Sequence, residues 1–532
     1  MSGFLAGLGV LIAAGTAAGA ILLPAGRLRS LSMLVALVLF PVLILGDQWH
    51  SHQIADLRDH PSRLLALGVL AIAVSAGLAF AFRRWPILLP LAIVAALPFR
   101  VPLEAGGDTA NLLVPLYLVI SGAVLTALLP GGGAVGGPTP EDALATGRGG
   151  GSPAVTGPAG PTAWLPRLLA AIVVLYAIQA LYSEDFSKGL QNVCFFFVPF
   201  SLVYGLLRDV TWDRRLLALV LWVVGIEAVC FVLIGTVEWA TRGLFWNDQV
   251  IRSNEFHTYF RVNSVFWDPN IYGRYLSLVA VVAMSALLWA RERRTLALLT
   301  ALVAVLWFGL VPTFSQSSFA ALLAGLVILA ALRWSVKWTA IAAVAGVVAT
   351  MLIVTLAGSF SFDRINIDTS GRANLVSGGI HLFAQRPVYG YGSGSFPKAY
   401  RQHVETRKAP VSISHTEPIT IAAEQGLVGL VLYAALVVTA LWVMAARAGG
   451  VGEGGSRTDR GPPADPPSPA TGPARYQPIA RAAVLATFVA LLVHTMAYAG
   501  FFEDPITWVL LAVGVSLATA DRVSACRDTS AA

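Results

Sequence analysis

The chain has 532 residues, 56% of them hydrophobic and only 12% charged, with a mean hydropathy of +0.72 and a formal net charge of +7. This balance excludes a soluble globular protein: apolar runs near twenty residues recur from end to end, each long enough to cross about 30 Å of hydrocarbon. The isoelectric point near 9.4 would suit a nucleic-acid partner, but no polar stretch is long enough to hold a soluble binding domain, and the excess cations read as topology signals instead.

Taken in chain order, the predicted helices are roughly 3–23, 30–46, 63–82, 86–99, 111–130, 164–182, 189–207, 215–238, 270–290, 295–312, 317–332, 338–357, 418–446, 478–500 and 505–520. The first run has no basic segment before it and more apolar runs follow at once, so it reads as a retained helix and not a cleaved signal. Only 86–99 is short for a span. Two stretches rich in Gly, Pro, Ala and Ser, 131–163 and 449–477, have no apolar periodicity and read as disordered linkers. The expected fold is all-α: a transmembrane bundle of about 14–15 helices. It divides into N-terminal helices to residue 130, central helices over 164–357, a large loop over 358–417, C-terminal helices over 418–520 and a tail.

Alternating sides along this order collects Arg27/Arg29, Arg83/Arg84, Arg148, Arg208/Arg214/Arg215, Arg291/Arg293/Arg294, Arg333/Lys337, Arg447/Arg457/Arg460 and Arg522/Arg527 on one face. Cations accumulate on the cytoplasmic side, which fixes the orientation. The other face receives the loop with His50, His52 and His60, the loop 241–269, the large loop and Glu503/Asp504. The large loop carries Arg364, Arg372, Arg386, Lys398, Arg401, Arg407, Lys408 and His415. Cations placed against the topology bias point to an anionic ligand.

Within that loop, Asp368-Thr369-Ser370 supplies side chains suited to an N-cap, followed by Leu375, Val376, Ile380 and Phe383 at near-helical spacing. This predicts a short amphipathic helix at the membrane surface. Arg372 sits in its first turn, where free N–H groups also favour anions, although an arginine solvated at the headgroup level fits the spacing equally well. Gly390 to Phe396 resembles a dinucleotide fingerprint only superficially, since the strand, the helix and the third glycine are missing; a tight turn bringing backbone close to a neighbour fits better. Ser414-His415-Thr416-Glu417-Pro418 closes the loop and opens the next helix. His415 at the bundle mouth is a side chain that can accept a proton near neutral pH, though a lone histidine is more often structural. Before the helix at 270–290, Arg261 and Asp268 stand among Phe256, Tyr259, Phe260, Phe266 and Trp267, a set that an interfacial aromatic belt would also explain. The cysteines Cys194, Cys230 and Cys526 form no metal or disulfide pattern.

Three segments, FRVNSVFWDPNIYG at 260–273, SGRANLVSGGIHLFAQRPVYGYGSGSF at 370–396 and SHTEPITIAAEQGLVG at 414–429, resemble successive signatures of the bacterial O-antigen ligase and polymerase superfamily. Their order and the large loop between two late helices match it as well. The resemblance implies a metal-independent, inverting glycosyltransferase of the bacterial inner membrane, with no cofactor and no nucleic-acid partner. Its donor would be a glycan on undecaprenyl pyrophosphate, and its acceptor a lipid-linked glycan, another glycan or a protein. Arg261 and Arg372 match the family's functional arginines and would bind pyrophosphate; His415 matches its essential histidine and would be catalytic. Arg386, Arg401, Glu417 and Glu424 stand as supporting candidates. Family members often have Asn after the histidine, whereas this chain has Thr416, which changes the hydrogen bonding there. Ligation, repeat-unit polymerisation and protein glycosylation remain open. A transporter of lipid-linked sugars, using inward polar groups such as Gln179, Glu227 and His494, is the reading of a different class.

Overall fold

The computed structural model describes residues 3–49, 59–105, 108–129, 160–245, 247, 250–252, 254, 259–342, 344, 372–404, 413–446 and 476–530. Most of both expected linkers, most of the expected span at 338–357 and the expected cap at Asp368–Ser370 lie outside these residues, while residues 161–163 and Gln477, expected in the linkers, already belong to helices. Among the described residues, eleven helices are long and apolar enough to cross a membrane. The chain is an all-α polytopic membrane protein, with one small antiparallel ribbon of Val101–Ala105 and Asp108–Leu112 at a helix junction.

The N-terminal half contains α1 (Gly3–Leu22), α2 (Arg27–Asp47), α3 (Pro61–Arg84), the short α4 (Leu88–Ala96), α5 (Val114–Leu128), α6 (Pro161–Ala180), α7 (Phe186–Leu207) and α8 (Arg214–Thr241). Helix α1 buries Ala6, Gly9, Ala13, Ala17 and Ala20, and these small side chains let it pack against α2, α6 and α7. Close approach of small residues is how helices associate where lipid is as apolar as the side chains. In contrast α3 turns Leu65, Leu67, Leu70, Ile72 and Phe80 outward, the face that lipid covers. Helix α7 widens into a π turn over Val193–Phe197, where the Tyr117 hydroxyl donates to the Phe195 carbonyl at 2.7 Å.

The C-terminal half contains α9 (Pro269–Trp289), α10 (Arg293–Leu310), α11 (Gln316–Arg333), α12 (Arg372–Gln385), α13 (Phe396–His403), α14 (Glu417–Ala445), α15 (Gln477–Thr495) and α16 (Pro505–Ser530). Helix α9 is central and packs on α10, α11 and α15. The predicted surface helix is α12, which begins at Arg372 and lies across α14; the sequence did not anticipate α13.

The ends of these helices sort into two groups. At one end Arg29 pairs with Asp209 at 2.5 Å, and the Ser516 hydroxyl donates to the Val210 carbonyl at 2.7 Å. At the other end the segments 181–186, 259–268, 311–315, 388–395, 414–417 and 496–504 contact one another. Of these, 259–268, 388–395, 414–417 and Glu503/Asp504 are what alternation placed on the face opposite the basic loops.

Candidate active site

Arg261 lies in an irregular segment whose backbone is tied down around it. The Val262 N–H donates to the Pro312 carbonyl at 3.1 Å, and buried Glu238 accepts the N–H groups of Asn263 and Ser264 at 3.1 and 2.7 Å. The Arg261 side chain then donates from Nε to the Thr313 carbonyl at 2.9 Å and from Nη2 to Asn270 Oδ1 at 3.2 Å. A planar fork held at two points keeps its orientation, which a flexible ammonium would not. Burial lowers its pKa, Asp268 opposes that, and Arg372 lies close enough to lower it further.

Arg372 is the first residue of α12, and its Nη1 donates to the Ala497 carbonyl at 3.1 Å. His415 lies near it, two residues before the start of α14. Its backbone has φ 61°, a left-handed conformation that costs a residue with a Cβ about 1–3 kcal/mol and persists only where surroundings impose it. Here α14 and the 496–504 segment impose it. The ring packs 5.9 Å from that of Tyr498, and Nδ1 is buried with no hydrogen-bond partner among the described residues. Burial first, and Arg372 second, lower the His415 pKa from 6.5 to about 4, against the opposing effect of Asp268. The imidazole is therefore uncharged near neutral pH and can accept a proton.

Three residues that are far apart in sequence, Arg261, Arg372 and His415, thus meet at one end of the bundle. The supporting candidates stand elsewhere. Arg386 packs 4.2 Å above the Tyr391 ring and pairs with Glu184 at 3.3 Å, bracing the turn after α12. Arg401 is exposed on α13. Glu417 accepts the N–H groups of Gly500 and Phe501 at 2.6 and 3.0 Å, so it fastens the 496–504 segment to α14. Glu424 accepts those of Gly394 and Phe396 at 2.9 and 3.0 Å, so it fastens the glycine turn to the same helix. Thr416, where the family often has Asn, donates to the Met496 carbonyl at 3.0 Å.

The 496–504 segment is what sequence reading missed. Besides holding Arg372 and Thr416, it is anchored by Arg274 of α9. Arg274 donates from Nη2 to the Tyr498 carbonyl at 3.1 Å, pairs with Asp504 at 2.6 Å and donates from Nε to His494 Nδ1 at 3.1 Å. That last bond makes Nδ1 an acceptor and leaves the proton on Nε2, which faces Ser317 at 3.1 Å. His494 is therefore a neutral, fully engaged strut. An arginine inside an apolar run is itself a signal, because it is costly there unless paired.

Residues 301–434 match the family model described as O-Antigen ligase, a stretch that takes in Arg372, His415, α12 and most of α14 and leaves Arg261 outside it. The match supports the assignment of the chain to the O-antigen ligase superfamily. No curated protein matches the chain.

Proposed function

We propose that this chain is a membrane glycosyltransferase that moves a glycan from undecaprenyl pyrophosphate to an acceptor hydroxyl at the outer face of the bacterial cytoplasmic membrane. The observation that carries the reading is the convergence of Arg261, Arg372 and His415 at the end of the bundle opposite the basic loops. A cation pair and an uncharged imidazole are what displacement at a glycosyl phosphate needs. The O-antigen ligase match covers two of the three residues and supports the same chemistry.

In this mechanism the donor pyrophosphate lies against Arg261 and Arg372, whose planar forks bind its oxygens in pairs. The acceptor oxygen attacks the anomeric carbon, the bond from that carbon to the phosphate oxygen breaks, and the configuration inverts. His415 takes the acceptor proton, while undecaprenyl pyrophosphate departs with its charge held by the arginines. No metal is assigned a role, because the two guanidinium groups supply the countercharge. Polymerisation and ligation differ only in the acceptor, and this site serves either.

The test is incubation of purified protein with a defined polyprenyl-pyrophosphate glycan and, separately, lipid A-core, a second lipid-linked glycan and a protein acceptor. A product joined through an inverted anomeric centre is expected with one of them. Donor left intact in every mixture, in protein that binds it, refutes the reading.

A further inference from the structure

Arg261 and Arg372 arrive from different elements, yet a pyrophosphate needs its two cations at one separation, because its phosphates are tied through a single bridging oxygen. Arg261 rests on the Thr313 carbonyl through Nε at 2.9 Å, and Arg372 rests on the Ala497 carbonyl through Nη1 at 3.1 Å. Between these two supports runs an unbroken line of hydrogen bonds, made by side chains that the transfer step does not use. Thr313 Oγ1 accepts the Ser315 N–H at 3.2 Å, the hydroxyls of Ser315 and Ser317 meet at 3.2 Å, and Ser317 meets His494 Nε2 at 3.1 Å. His494 Nδ1 accepts from Arg274 Nε at 3.1 Å. Arg274 Nη2 ends the line at 3.1 Å on the carbonyl of Tyr498, the residue after Ala497.

The hydrogens along this line are all accounted for. With its proton on Nε2, His494 donates to Ser317, Ser317 to Ser315, and Ser315 to Ser318 at 2.7 Å. Ser318 donates at 3.5 Å to the carbonyl of Asn270, whose side chain holds Nη2 of Arg261. Arg274 of α9, Ser315 and Ser317 at the start of α11 and His494 at the end of α15 are all buried. A buried polar chain is costly where a member lacks a partner, and satisfied throughout it holds the three helices to one arrangement. Phe314, between Thr313 and Ser315, has φ 48°, a left-handed conformation that a residue with a Cβ keeps only where its surroundings impose it. Neutralising Arg274 requires only Asp504, 2.6 Å from Nη1. The other bonds of Arg274 lead to the two segments on which the arginines rest.

We propose that Arg274, His494 and Ser317 are positioning residues that set the separation of Arg261 and Arg372, and thereby make the site select a pyrophosphate over a monophosphate. They act through the two arginines and are assigned no contact with the donor. A monophosphate draws on one guanidinium wherever that group stands, whereas a pyrophosphate draws on both only when their spacing matches its own. Loosening the line therefore costs the pyrophosphate and spares the monophosphate. The inference rests on the reading of the two arginines as pyrophosphate ligands.

The test uses full-length protein in detergent and measures binding of two lipids of equal chain length, a polyprenyl pyrophosphate and a polyprenyl monophosphate. Neither carries a glycan, so turnover does not enter. The unaltered protein binds the pyrophosphate more tightly. His494→Leu weakens pyrophosphate binding about tenfold and Ser317→Ala about fivefold, the range of one misplaced hydrogen-bonded contact, while monophosphate binding stays within about twofold. His494→Gln, whose amide can accept from Arg274 and donate to Ser317, recovers part of the loss. Thermal unfolding midpoints are recorded on the same preparations, and Ser317→Ala, which removes one hydroxyl, decides the matter if His494→Leu does not fold. A line that only supports the fold gives another pattern, a lower midpoint with both lipids weakened alike. An unchanged ratio of the two affinities in Ser317→Ala overturns the proposal, whatever the midpoint does. Equal affinity of the unaltered protein for both lipids is a different failure, and refutes the reading of the arginines as pyrophosphate ligands.

Discussion

Arg261, Arg372 and His415 differ in what each does to the donor, and single substitutions separate them. Arg261→Ala or Arg372→Ala removes a fixed cation from the position where charge develops, and loss of one such contact costs roughly 3–4 kcal/mol at the transition state. Transfer falls accordingly and donor binding weakens with it; lysine rescues only in part, because the fork that Arg261 applies to Thr313 and Asn270 is lost. His415→Ala instead leaves donor binding nearly unchanged while transfer falls by about 10²–10⁴. Isothermal binding and single-turnover rates on the same preparations distinguish the two patterns, and an alanine variant with full activity removes its residue from the site. The pH dependence has a definite sign. His415 has its pKa lowered to about 4 from 6.5, so kcat/KM is lost as pH falls through about 4 and not near 6.5. A bound pyrophosphate offsets Arg372, which raises that value, so the acid limb of kcat lies at higher pH than that of kcat/KM. Coincident limbs near 6.5 contradict the geometry. The sequence marked these three residues as candidates, by the family resemblance and by cations standing where topology disfavours them, but no spacing told that they would lie near one another. Tyr498 was not marked, because its ring contacts with His415 and Arg274 are encoded by no spacing.

Helix α14 shows how an element turns backbone strain into placement of the site. It is continuous from Glu417 to Ala445 except at Gly426, whose φ 65° and ψ −162° belong to a region that only glycine visits freely. The interruption lets the Leu427 N–H reach the Pro387 carbonyl at 2.7 Å, while the Gly392 N–H donates to the Glu424 carbonyl at 2.8 Å. The turn after α12 thereby docks into the kink, and α12 with Arg372 is held over α14 and His415. A Cβ at Gly426 would stand 2.4 Å from the Val388 carbonyl carbon, against backbone that cannot give way. The conformation alone costs an L residue roughly 1–3 kcal/mol, so Gly426→Ala lowers the midpoint of thermal unfolding in detergent and reduces transfer together. An unchanged midpoint rejects the kink as the anchor. The glycine turn was visible in the sequence as a close approach of backbone, and Gly390 does approach the Glu424 carbonyl oxygen so closely that a Cβ would stand 2.3 Å from it. The partner helix was not visible, since GlnGlyLeu inside an apolar run reads as ordinary helix. Helix α13 escaped for a related reason: Phe396, Ala399 and Tyr400 bury one short face in a turn-rich stretch too brief to show a period.

For the whole molecule, what decides the chemistry is which end of the bundle faces which side of the membrane. Most of the helix order is written plainly in the apolar runs, and among the described residues 259–268, 311–315, 414–417 and 496–504 gather at one end, while Arg29 meets Asp209 at the other. Geometry fixes the grouping but not the polarity, which comes from charge. The end with Arg27, Arg83, Arg84, Arg214, Arg215, Arg291, Arg293, Arg294 and Arg333 carries the strong excess of cations, and on that ground we propose that it lies in the cytoplasm. In the proposed orientation the end with Arg372 and His415 faces outward, where a lipid-linked glycan and its acceptor would meet. Single cysteines at positions 148, 372, 415 and 457, in a background with Cys194, Cys230 and Cys526 replaced, test this in intact cells with a membrane-impermeant thiol reagent. Labelling is expected at 372 and 415 once the outer layers of the envelope are permeabilised, and at 148 and 457 only after the cytoplasmic membrane is opened. Since the two ends of the bundle exchange sides together, one exchanged pair suffices: a cysteine at 457 that labels in intact cells while one at 372 does not inverts the entire arrangement, and an outer-face transferase becomes untenable.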